Sequence, residues 1–165
     1  FIMTYELSLK NAKTYFIATI FVIGNILLPQ LCHLVPKGGL IFLPIYFFTL
    51  IGAYKYGLSV GLLTAFLSPI TNHLLFGMPP SEALVAILIK SSFLALSASW
   101  MATKFKGVSL WGVVLAVVGY QICGGVYELV FKGLDSAIQD FVIGWPGIVI
   151  QIFGGFLVLK SIEKL

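Results

Sequence analysis

The chain has 165 residues, 59% hydrophobic and 10% charged, with a mean hydropathy of +1.05 and a formal net charge of +4. Soluble globular proteins carry about a quarter of their residues as charges, so this composition excludes an ordinary soluble domain. It points to lipid as the solvent.

A spanning helix needs roughly 20 apolar residues to cross a ~30 Å hydrocarbon core, and the breaks in the apolar text predict six spans. The first covers 12–31 and ends in the stretch from Pro29 to Pro36. The second, 39–54, is short and carries Pro44. The third, 57–76, stops at the turn signal Gly77-Met78-Pro79-Pro80, and the fourth, 82–103, stops at Lys104-Phe105-Lys106-Gly107. The fifth, 108–131, leads into the longest polar loop, Lys132 to Trp145, and the sixth, 146–160, closes at Lys160. The expected fold is therefore an all-α integral membrane protein, a six-transmembrane-helix bundle forming one domain over 1–165. The first apolar stretch has full spanning length and no small-residue cleavage pattern behind it, so it reads as a retained span.

Lysine placement tests the count independently, because cytoplasmic loops are enriched in positive residues. Lys10, Lys13, Lys55, Lys104, Lys106, Lys160 and Lys164 fall on one side of the six-span scheme, and only Lys37 and Lys132 on the other, with Glu82, Asp135 and Asp140. Both termini are thus expected to be cytoplasmic, and the loops after spans one, three and five to face outward. The net charge follows from this topology and from anionic inner-leaflet lipid. It implies no nucleic-acid partner.

No G-x-x-x-x-G-K-[ST], H-E-x-x-H or G-x-S-x-G motif occurs, so nothing marks an enzyme, and uphill movement of a solute would draw energy from a partner or a coupled ion. Cys32 and Cys123 read as two small hydrophobes in helices. No cofactor or metal is expected.

The outward loops hold the candidate binding residues: Gln30 and His33 at the first, Asn72 and His73 at the third, and Gln139, Asp140 and Trp145 at the fifth. A few polar groups at one mouth of an apolar bundle are what a small-ligand site requires. Wet loops and an interfacial tryptophan are the competing reading. Two ionisable residues lie deeper. Lys90 is eight residues inside span four, about 12 Å deep at 1.5 Å per residue, where a charge is costly without a polar cavity or partner. Glu128 shares a helical face of span five with Gln121 and Gly125. Either these side chains line a ligand cavity, or Lys90 and Glu128 form an ion pair that only holds the bundle together. Ser91, Ala95, Ala98 and Ala102, with Gly57 and Gly61, make small-residue stripes suited to close helix packing, or else to docking of another subunit.

Six short spans, the stretch Gly39-Leu40-Ile41-Phe42-Leu43-Pro44, and Gly57-Leu58-Ser59-Val60-Gly61-Leu62-Leu63 leading to Leu74-Leu75-Phe76-Gly77-Met78-Pro79-Pro80 resemble the S components of energy-coupling factor (ECF) transporters. The resemblance implies a subunit that captures a vitamin or related micronutrient outside, under the loops after spans one, three and five. A transmembrane coupling protein and two cytoplasmic ATPases would drive release inward, and a bacterial cytoplasmic membrane is the expected location. Many S components dock through two alanines four apart on the first helix; the nearest equivalents here are Ser8 and Ala12, with Ala18 out of step. In this reading Lys90 or a loop donor meets a ligand carboxylate or phosphate and aromatics stack on a ring. The alternatives are a stand-alone ion-coupled carrier relaying protons through Lys90 and Glu128, and a haem-binding membrane protein using His33 and His73.

Overall fold

The computed structural model describes residues 7–165. Among them every regular element is helical. The helices are α1 (Ala12–Cys32), α2 (Gly38–Phe42), α3 (Phe47–Tyr56), α4 (Leu58–Phe76), α5 (Ser81–Lys104), α6 (Leu110–Phe131), α7 (Leu134–Val142), α8 (Trp145–Val149) and α9 (Gly155–Ser161). A 3-10 turn (Pro44–Tyr46) precedes α3, and a π-helical segment (Ile150–Gly154) joins α8 to α9.

Four helices, α1, α4, α5 and α6, are long and apolar enough to cross a membrane; a fifth span results if α7 and the stretch from Trp145 to Ser161 count as one crossing bent by 58°. The limits of these four agree with the sequence reading to within two residues, because each apolar run ends at strong punctuation. At the end of α4, for example, Gly77 adopts φ 67° and its N–H caps the His73 carbonyl at 2.8 Å, a left-handed turn that glycine makes without a Cβ penalty. The predicted second span is different. Pro44 supplies no N–H and disfavours the helical region for the residue before it, so Leu43 turns left-handed at φ 46° and the segment divides into α2 and α3. The predicted polar loop from Lys132 to Trp145 is also corrected. It contains α7, whose Leu134, Ile138, Phe141 and Val142 recur at helical spacing and point outward while Asp140 is buried.

The ten-residue α3 forms the centre. From Thr49 to Lys55 every residue of α3 is buried, and the helix packs against α1, α4, α5 and α9. Small residues make that possible: a Cβ on Gly61 of α4 would lie 2.5 Å from Ala53 Cβ and 3.2 Å from Ala95 Cβ. The Ser91, Ala95, Ala98 and Ala102 stripe of α5 is buried within the bundle, so of its two readings the structure selects internal packing. Large apolar side chains such as Phe16, Leu27, Leu74, Trp111, Val130 and Phe131 face outward, while Asn25, Thr49, Ser68, Asn72, Lys90, Gln121 and Gln151 are buried. An exterior this apolar, around an apolar core that also holds these polar groups, suits a membrane-embedded protein.

Hydrogen bonds define the two ends of the bundle. At one end Leu7 N donates to Tyr56 O (3.1 Å), Lys55 Nζ to Glu163 O (3.0 Å) and Tyr54 Oη to Gly107 O (2.9 Å). The segments after α3 and α5 therefore meet the two chain ends there, with Lys10, Lys13, Lys104, Lys106, Lys160 and Lys164 close by in sequence. At the opposite end Lys132 Nζ donates to Glu82 O (2.8 Å), and α2 packs on α8 so closely that a Cβ on Gly147 would meet the Phe42 carbonyl at 2.5 Å.

Candidate functional site

The deepest charge in the chain finds two partners. Lys90 projects from α5 with a relative exposure of 3%; its ammonium donates a hydrogen bond to Asp140 Oδ2 of α7 and stands 3.5 Å from Glu128 Oε2 of α6. The Lys90 stem reaches them because α6 has a glycine where it passes: a Cβ on Gly124 would lie 2.5 Å from Lys90 Cγ. Three helices thus converge on one ammonium and two carboxylates, formally one negative charge in excess. Glu128 Oε2 is buried, and its nearest cation is the Lys90 ammonium at that 3.5 Å, a longer contact than the bond to Asp140.

A chain of neutral polar groups continues from the same faces. Gln121 Nε2 donates to Tyr120 Oη (2.9 Å), Tyr120 Oη donates to Gln151 Oε1 (2.6 Å), and Gln151 Nε2 donates to Leu43 O (3.4 Å). The left-handed conformation of Leu43 costs a non-glycine residue about 1–2 kcal/mol, and the Gln151 bond helps hold it. The π-helical segment carries Gln151 inward, as such bulges commonly do at functional positions. The Tyr46 ring lies 5.3 Å from the Tyr120 ring at 42°.

Among the sequence candidates, Lys90, Glu128 and Asp140 come together, with Gln121 one residue from Tyr120 in the adjoining chain of bonds. Asp140 was read as a loop residue; α7 turns it into a buried counterion. Gln139 is half-buried on the same helix. Among the described residues no hydrogen bond or ion pair ties the remaining candidates to the triad. Asn72 belongs to a second network: Asn72 Nδ2 donates to Asn25 O (2.9 Å) and Ser68 O (2.8 Å), while Asn25 Nδ2 donates to Thr49 Oγ1 (3.2 Å) and Ser68 Oγ (3.0 Å). These bonds tie α1, α3 and α4 together, as interhelical amides do in lipid. His73 Nδ1 is bonded to the Pro79 carbonyl oxygen at 2.7 Å, His33 is exposed at the end of α1, Gln30 is half-buried and Trp145 is exposed. Ser8 and Ala12 are exposed, whereas Ala18 is 2% exposed and packs inward with Ile17 and Val60, off any open docking face. Among the described residues no group of three or more His, Cys, Asp or Glu side chains is arranged to hold a metal ion.

Tyr46, Tyr120, Gly124 and Gln151 were not singled out from sequence. Gln151 alone carried a signal, as an amide inside an apolar run; tyrosines and glycines are too common in membrane helices to stand out. No family model, curated protein or solved structure matches this chain.

Proposed function

We propose that this chain is the substrate-binding membrane subunit of an ECF-type importer, an S component that captures a vitamin-like micronutrient and releases it inward with a coupling protein and two ATPases. The observation that carries the reading is the buried Lys90, Glu128 and Asp140 cluster, drawn from three helices at the end of a lipid-facing bundle where the short helices pack. Charges buried at such depth are costly to insert unless they serve a purpose. The short helices α2, α7 and α8 pack on one another above the long ones, where a binding subunit needs segments able to part and close. No nucleotide-binding loop occurs in the chain, which fits energy supplied by partner ATPases.

In this reading α2 and α3 together make a sixth crossing, both described chain ends lie on the cytoplasmic side with most lysines, and the triad lies in the outward half of a bacterial cytoplasmic membrane. The test is to purify the protein from membranes and identify retained small molecules by mass spectrometry, then to reconstitute uptake. A retained micronutrient, bound by the lone chain but accumulated only with the coupling protein and its ATPases, is the expected result. A second reading, a stand-alone ion-coupled carrier, draws on the same triad, since two carboxylates sharing one lysine can exchange a proton. Uptake by the lone protein, abolished by an uncoupler, would select it.

A further inference from the structure

Charge balance at the triad defines the class of ligand. Lys90 is the least exposed group at 3% side-chain exposure, and the two carboxylates are the more accessible at 12% each. The ammonium is already committed by a hydrogen bond to Asp140, whereas its contact with the buried Glu128 Oε2 is the longer one, at 3.5 Å. Lys132, four residues on at the end of α6, is exposed and donates to the Glu82 carbonyl oxygen. Water and salt screen it, so with all three groups ionised the cluster carries one negative charge in excess.

Resting on the binding-subunit reading above, we propose that the site takes a small monocation, a protonated amine or a cationic heteroaromatic ring, whose positive charge pairs with Glu128 while Lys90 keeps Asp140. The cation brings the buried cluster to neutrality. A carboxylate or phosphate ligand, as first expected opposite Lys90, would have to displace Asp140 and then lie beside two unpaired acids. Its own charge would add to theirs.

The test uses the full chain in nanodiscs and three phenyl probes of similar size: benzylamine, cationic at neutral pH, benzyl alcohol, neutral, and benzoate, anionic. Calorimetric titration should show benzylamine binding at least about tenfold tighter than benzyl alcohol, with benzoate weakest. Glu128→Gln and Asp140→Asn each leave Lys90 one carboxylate and so keep the cluster folded and neutral. Each should weaken benzylamine about ten- to a hundredfold, the loss of one charge-assisted contact. Glu82→Gln, an acid at the same end outside the cluster, should change nothing. Benzoate binding as tightly as benzylamine, a cation preference that survives both carboxylate variants, or no binding of any probe overturns the assignment. The subunit reading is judged separately by the retained molecule: an anion would refute the cation assignment and leave the subunit reading standing, whereas an empty protein would count against the subunit reading itself.

Discussion

Replacing Lys90 by methionine keeps the length of the stem that lies along Gly124 and removes only the ammonium. Asp140 then loses its charged hydrogen-bond donor and Glu128 loses the partner 3.5 Å away, with both carboxylates still mostly buried. Removing one member of a buried ion pair costs about 3–5 kcal/mol, because the other charge stays behind unpaired. The single carboxylate variants should rank below it in an order set by geometry. Asp140→Asn gives up a charge-assisted hydrogen bond, about 1.5–3 kcal/mol. Glu128→Gln gives up a contact at 3.5 Å but also removes the second carboxylate from a site with one ammonium, so it should change stability least of the three. The triple variant Lys90→Met/Glu128→Gln/Asp140→Asn should recover much of the loss, since three neutral groups need no counterion. Unfolding by denaturing detergent, without added ligand, measures all four. A Lys90→Met protein as stable as the parent, or a Glu128→Gln protein less stable than Asp140→Asn, would refute the triad as drawn.

Two further outcomes follow from packing and topology. Gly61→Ala puts a methyl group 2.5 Å from Ala53 Cβ and 2.9 Å from Ala53 Cα, so α3 and α4 must separate, at about 1–3 kcal/mol of overpacking; an unchanged unfolding midpoint would show that this contact is not as close as described. In a background with Cys32 and Cys123 replaced by serine, cysteine at Ser81 should react with an impermeant thiol reagent added outside intact cells and cysteine at Thr103 should not, and the opposite pattern would invert the proposed orientation.

The four long helices were legible because hydropathy is a property of consecutive residues, and glycine, proline and lysine mark where each run stops. Lys90 and Glu128 were legible as anomalies, since a charge inside an apolar run is visible without knowing its neighbours. Asp140 was visible only as an acid in a polar segment. Its role depends on α7 folding with its apolar face toward the outside, the reverse of what a soluble amphipathic helix does. Asn25, Thr49 and Ser68 went unnoticed because each lies in a different helix and only the fold makes them partners.

By itself, then, the sequence determined an all-helical, lipid-suited chain, the limits of α1, α4, α5 and α6, and the presence of two ionisable groups that needed a reason to be buried. Tertiary structure alone decided that the ten-residue α3 is the buried centre, that Lys90 has two acids rather than one, and that Tyr120, Gln121 and Gln151 link the triad's surroundings to the strained turn at Leu43. The physical reason is that hydropathy and punctuation act along one segment at a time, whereas counterions and hydrogen-bond partners depend on how each helix is rotated about its axis and which neighbour it faces, and that is set by the close packing of small residues across the whole bundle.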